Sequence, residues 1–265
     1  MNAADHQFAK SHLLQKIRNA DILTSPFPHF IIDQVFPEDY FEAMLHYLPD
    51  DSFYRKWTEV GKVKLEQYSK RDQGYLEDSW LQQLPSEQKI FWQDFTTWFL
   101  SDEFAQESMQ IFSDTLAKRF HSDRSGWPQV YPQAIFLRHR ADYFIGPHTD
   151  IPSKVVNILF YLAENDDHEE LGTALYEHES GLECEGNRHH EFDGFRKIKV
   201  APYRRNSALG FVKTSNSWHG VEPIQENVAE KTRRNVIQYM VYDNPMRAPR
   251  KEHQEKQYDS ENYTG

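Results

Sequence analysis

The 265-residue chain changes its pattern of apolar positions near residue 131. Before that point the spacing is helical. Phe8, Leu13, Leu14 and Ile17 fall near one face of a helix over 5–20. Ile31-Ile32 predicts a first strand. Residues 38–48 read as a second helix, with Pro37 at its first turn, where a missing N–H is tolerated, and Pro49 at its end. Residues 51–75 are polar and aromatic without a clear period, and read as loops with one short strand. Two further helices are predicted over 85–99 and 102–120. Phe91, Phe95 and Trp98 repeat at helical spacing in the first, and Phe104, Met109, Phe112 and Leu116 in the second. Such stripes more often form a core face against a sheet than a ligand pocket.

From Tyr131 onward, short branched and aromatic runs alternate with turn residues. Residues 155–162, 206–213 and 233–242 each read as a buried strand. The pattern predicts a mostly β unit with flanking helices (α+β), either an antiparallel barrel or a jelly roll. The organisation expected is an N-terminal helical support over 1–130 packed on a core over 131–243, one compact domain overall. A charged, apolar-poor tail then runs over 244–265. Two loops interrupt the strands: an acidic one over 164–170, and a long one over 177–194 that carries His178, His189 and His190. The length of the second suits a lid or binding loop. Its His189-His190 pair reads as flexible surface histidines in preference to a second metal site. No internal repeats are apparent.

Candidate chemistry concentrates in His148-Thr149-Asp150 and the later His219. In an extended segment residues i and i+2 point the same way, so His148 and Asp150 can reach one ion while Thr149 faces away. Two histidines and one carboxylate supply one face of a non-haem Fe(II) site and leave positions open. H-x-D alone is weak in a chain with 13 histidines and 41 acidic residues. Its position beside predicted strands strengthens it.

These residues, with a basic residue on the strand after the distal histidine, resemble the Fe(II)/2-oxoglutarate-dependent dioxygenases, most closely their prolyl-hydroxylase-like branch. Leu137-Arg138-His139, Asp142-Tyr143-Phe144 and Gly146-Pro147-His148 resemble the family's approach to H-x-D. Gly172 to Tyr176 resembles the strand beyond it, and Phe27 to Asp33 with Phe36-Pro37 the entry element. The chain departs from many relatives at His139, where they carry Tyr, and at Asp142, where they often carry Gly.

The resemblance implies a double-stranded β-helix (jelly roll) core and a hydroxylase. It implies Fe(II) on His148, Asp150 and His219, 2-oxoglutarate and O₂ as co-substrates, and ascorbate as a reductant. The reaction implied is oxidative decarboxylation of 2-oxoglutarate to succinate and CO₂, coupled to hydroxylation of a substrate C–H bond. The substrate implied is an amino-acid residue, a free amino acid or a small metabolite. The far carboxylate of 2-oxoglutarate needs a buried cation, and the planar fork of Arg suits it. Strand alternation lets only one of Arg233 and Arg234 face inward; periodicity favours Arg233, while the family's spacing favours Arg234. Tyr161 resembles the position that supports the same carboxylate, with Asn157 and Leu159 on its strand face. Arg138, His139, Tyr143, Trp218 and Gln238 are candidate substrate-pocket residues. A non-catalytic jelly-roll ligand-binding or sensor protein is the competing reading.

Bulk properties narrow the partners. Net charge is −11 and the pI about 5.6, which disfavours a nucleic-acid footprint. The cluster Arg196, Lys197, Lys199, Arg204 and Arg205 reads as a solvated strand edge. One cysteine, Cys184, fits a reducing compartment. The polar N-terminus and the lack of a run of about 20 apolar residues predict a cytoplasmic protein without a membrane span.

Overall fold

The computed structural model describes residues 1–60, 70–186, 188–226 and 233–247. Its helices are α1 (Ala3–Arg18), α2 (Glu38–His46), α3 (Trp57–Val60), α4 (Asp78–Leu81), α5 (Ser86–Phe99), α6 (Asp102–Gln110) and α7 (Ser113–Phe120). The first strands are β1 (His29–Asp33), β2 (Arg55–Lys56), β3 (Arg71–Tyr75), β4 (Tyr131–His139), β5 (Ile145–His148) and β6 (Lys154–Leu162). They are followed by β7 (Thr173–His178), β8 (Phe195–Ala201), β9 (Arg205–Val212), β10 (His219–Val221) and β11 (Arg234–Tyr242).

The strands form two antiparallel sheets. The larger runs β1-β9-β6-β11-β4-β3-β2 and the smaller β5-β10-β7-β8. From β4 to β11 the chain passes back and forth between them: β4 is in the large sheet, β5 in the small, β6 in the large, β7 and β8 in the small, β9 in the large, β10 in the small, β11 in the large. This alternation is the jelly-roll arrangement expected from the strand pattern. β1, β2 and β3, from the N-terminal region, extend the large sheet at both edges.

Side-chain alternation gives the large sheet two faces. Phe136, Ile158, Phe160, Ile237, Tyr239 and Val241 face outward into an aromatic core shared with the helices. There Phe99 packs 5.4 Å from Phe160 and 5.0 Å from Tyr239. Each such buried ring contributes about 1.5–3 kcal/mol. The predicted stripe Phe91, Phe95 and Trp98 belongs to this core, not to a pocket. The inward face carries Ile135, Leu137, Leu159, Tyr161, Leu209, Phe211, Val236 and Met240 against the small sheet.

Three local expectations change. Phe8 lies off the buried face of α1 and is 63% exposed, because Ala9, Leu13, Leu14 and Ile17 supply the packed stripe. The single helix expected over 102–120 breaks between α6 and α7, which brings Phe112 into a stack on Phe30 at 5.8 Å. The aperiodic stretch over 51–75 holds two strands and a short helix as well as a turn, with 61–69 outside the described residues. Most of the expected tail, 248–265, also lies outside them. Among the described residues no helix is long and apolar enough to cross a membrane.

Candidate metal centre

β5 and β10 pair antiparallel with His148 opposite His219, so both rings leave the small sheet side by side, 4.2 Å apart. Asp150 follows two residues after His148. One ligand atom from each of His148, Asp150 and His219 lies within 4.8 Å of the others. The histidine Nδ1 atoms are committed: that of His148 lies 3.0 Å from the Gly146 carbonyl, and that of His219 3.0 Å from the Ser217 carbonyl. A carbonyl only accepts, so each Nδ1 carries the proton and each Nε2 keeps its lone pair. Fixed tautomers of this kind suit metal ligands. Burial, followed by the neighbouring His219 and His189, holds His148 well below the ordinary histidine value; burial also lowers His219. Both rings are therefore neutral, as a cation requires.

Asp150 is 8% exposed and held by two donors. Lys154 Nζ donates to Oδ1 at 2.6 Å and Asn157 Nδ2 to Oδ2 at 3.1 Å. Burial alone would raise its pKa, but Lys154, His219 and His148 outweigh burial and hold the carboxyl well below the usual range. The same ion pair keeps the buried Lys154 ammonium charged against its desolvation. Oδ2 faces His219 Nε2 at 3.9 Å. Gln238 Nε2 donates to Asn157 Oδ1 at 3.1 Å, extending the chain of support to β11. Two neutral imidazoles and one fixed carboxylate form a donor set that fits Fe(II).

The question of Arg233 or Arg234 has a geometric answer. Arg234 is 2% exposed and points between the sheets, whereas Arg233 turns outward to Asp51. Periodicity pointed to Arg233 because β11 is buried on both faces, so its alternation carries no inside-outside signal. Arg234 donates to the Leu171 carbonyl at 2.5 Å, to Thr173 Oγ1 at 2.9 Å and to His139 Nδ1 at 2.8 Å. Tyr161 donates to the same Thr173 hydroxyl at 2.8 Å and lies beneath the guanidinium. Among the described residues no carboxylate meets Arg234.

The remaining candidates divide between the two faces. His139 and Tyr143 are buried between the sheets and stack at 4.0 Å, and Leu159 lines the same space. Asn157 and Gln238 support Asp150 instead of reaching towards Arg234. Arg138 is a correction: as the strand neighbour of His139 it takes the outer face, where it pairs with Asp51 and covers Tyr54. Trp218 is another. Next to His219, it faces away from the triad and packs with Tyr176, Phe195 and His190.

The long loop also departs from expectation. His189 bridges His148 in the backbone and its ring lies 4.7 Å away. His190 donates its N–H to the Pro147 carbonyl. His189 keeps the surface exposure expected of it and His190 is half-buried, but both are tied to the H-x-D segment. Glycines permit this approach: a Cβ on Gly186, at φ +124°, would sit 2.0 Å from the Asp150 carbonyl, and one on Gly146 2.0 Å from that of His190. Sequence reasoning also missed Lys154, although a lysine heading an otherwise apolar strand was a signal. By contrast, the basic cluster is the solvated edge expected, with Arg196, Lys197, Arg204 and Arg205 all paired to glutamates.

The sequence matches no family model and no curated protein. Solved structures similar in fold include a 2OG-Fe(II) oxygenase family oxidoreductase from Burkholderia pseudomallei, at 12% identity and TM-score 0.44, covering 89% of this chain and 90% of that one. A Pseudomonas putida prolyl-4-hydroxylase shows 12% identity and TM-score 0.44, covering 87% and 98%. HygX from Streptomyces hygroscopicus, with nickel, 2-oxoglutarate and hygromycin B bound, shows 10% identity and TM-score 0.40, covering 81% and 82%.

Proposed function

We propose that this chain is an Fe(II)- and 2-oxoglutarate-dependent dioxygenase that hydroxylates a C–H bond of an amino-acid residue or small metabolite. The observation that carries the reading is the buried Arg234, without an anionic partner among the described residues, in the inter-sheet space that also holds the triad. A desolvated guanidinium left unpaired is costly, and a ligand carboxylate would relieve it.

His148 and His219 through Nε2, and Asp150 through its carboxylate, would hold the metal. Arg234, with Thr173 and Tyr161 beside it, would bind the far carboxylate of 2-oxoglutarate. Bound together, metal and co-substrate supply O₂ activation, with succinate and CO₂ as products and ascorbate as a reductant. The protein's part is positioning. Lys154 and Asn157 hold Asp150 in one orientation, and the backbone carbonyls hold the two rings. The apolar inward face, with Leu159, Phe211 and Met240, keeps bulk water from the reacting centre. In this reading residues 131–243 are the catalytic core, 1–130 its support and 244–265 a tail. A reducing cytoplasm suits Fe(II) and the single cysteine, and the acidic charge disfavours nucleic acid as substrate.

The test is succinate formation from 2-oxoglutarate by the Fe(II)-loaded chain. His148→Ala and Asp150→Ala should both abolish it together with tight metal binding. Turnover retained in both variants would refute the assignment.

A further inference from the structure

A second cation lies at the level of Arg234. β3 carries the large sheet past β4, and its register sets Arg71 opposite His139, which is itself opposite Arg234. Directly opposed residues on neighbouring strands share a face. Arg71 therefore faces the inter-sheet side with His139 and Arg234, while Asp72 takes the outer side and pairs with Arg140. Strand spacing puts the Cα atoms of Arg71 and Arg234 about 10 Å apart.

Arg71 is poorly compensated. Its guanidinium lies over the Trp57 ring at 4.3 Å, and its Nε is buried without a hydrogen-bond partner. Among the described residues no carboxylate meets it, whereas Arg138, Arg140, Arg204, Arg205 and Arg233 each have one. Beside it stands a second orphan donor. His139 accepts from Arg234 on Nδ1, so its proton is on Nε2, which is 2% exposed as a residue and has no protein partner. The positive charge of Arg71 also reaches the metal centre, where it acts on Lys154 and His189.

2-Oxoglutarate does not use this site if Arg234 takes its far carboxylate and the metal its keto-acid end. We infer that the primary substrate carries an anionic group, a carboxylate or a phosphate, bound by the Arg71 guanidinium with His139 Nε2 as a second donor. This deepens, and rests on, the dioxygenase reading. A planar guanidinium on an aromatic ring presents its edge to such an oxyanion.

The experiment uses the full-length, metal-free chain titrated separately with acetate and with inorganic phosphate. Trp57 emission is read as the difference between wild type and Trp57→Phe. A saturable change is expected in wild type, absent in Arg71→Gln and weakened about tenfold in Arg71→Lys, which keeps the charge but loses the fork. A stronger response to acetate assigns a carboxylate, and one to phosphate a phosphoryl group. No saturable response in wild type, or the same midpoint in Arg71→Gln, overturns the inference. A parallel anaerobic titration of the Fe(II)-loaded proteins with 2-oxoglutarate should give the same visible band and midpoint in Arg71→Gln as in wild type. Loss of that band in Arg71→Gln would assign Arg71 to the co-substrate and also overturn it. If wild type shows no band, the dioxygenase reading fails alone, and the Trp57 signal still decides the anion site.

Discussion

The two faces of the large sheet handle charge in opposite ways. On the outer face, Arg138 and Arg233 share Asp51, and Arg140 pairs with Asp72. On the inner face, one residue along from Arg138 and Arg233, His139 and Arg234 meet each other, neutral acceptors and aromatic rings, and Arg71 lies on an aromatic ring, with no carboxylate on either arginine among the described residues. The outer-face arginines of β4 and β11 are compensated as they stand, each with a carboxylate. The inner face is finished only with something bound. An unpaired buried cation stabilises nothing by itself, so the retention of Arg234 points to ligand recognition.

Substitutions on the two faces should therefore separate stability from binding. The largest effect belongs to the outer core: Phe160→Ala, which removes a fully buried ring, should cost about 3–5 kcal/mol in chemical denaturation. Next, Arg234→Gln should weaken 2-oxoglutarate on the order of 100-fold, about 2.7 kcal/mol, by calorimetry. It should leave the melting temperature of the ligand-free chain unchanged or raised; a marked drop would mean that Arg234 is a structural charge. Arg138→Leu should do the reverse, costing about 2 kcal/mol of stability through lost charged hydrogen bonds without changing 2-oxoglutarate affinity. Lys154→Met frees one Asp150 oxygen and should lower metal affinity about tenfold in a competition titration.

The smallest effect is a slope. Burial first, then Arg234 and Arg71, holds His139 well below its ordinary value near 6.5. The folded chain thus binds this proton more weakly than the unfolded chain does. The stability it contributes is whole above about 6.5 and is lost as pH falls towards the folded value, by about 1.4 kcal/mol per pH unit. In metal-free protein between pH 7 and pH 5, His139→Gln should make the loss shallower by one proton's worth. An unchanged slope would remove His139 from the account.

Much of this was legible in the sequence for a physical reason. The triad announces itself because H-x-D needs only the period of two of a strand, and the strands around it are continuous apolar runs. The longer helices were legible from their periodicity, except that Phe8 yielded its face to Ala9 and the run over 102–120 broke between α6 and α7; the short α3 and α4 carried no such period. The pocket was harder. β11 is buried on both sides, so alternation could not choose between Arg233 and Arg234. β3 lies in an aperiodic stretch, which hid Arg71. The roles of Thr173 and His189 depend on contacts between distant segments that no local pattern encodes. Arg138 and Trp218, candidate pocket residues by sequence, lie beside His139 and His219, and a shift of one residue on a strand moves a side chain to the other face.

The inner face can be tested with one titration: anaerobic, Fe(II)-loaded protein and 2-oxoglutarate, followed by the weak visible charge-transfer band of the chelated keto acid. The account predicts a band that saturates in wild type and disappears in Arg234→Gln at the same ligand concentration. Bound iron with no band in wild type, or an equal band in Arg234→Gln, would contradict it.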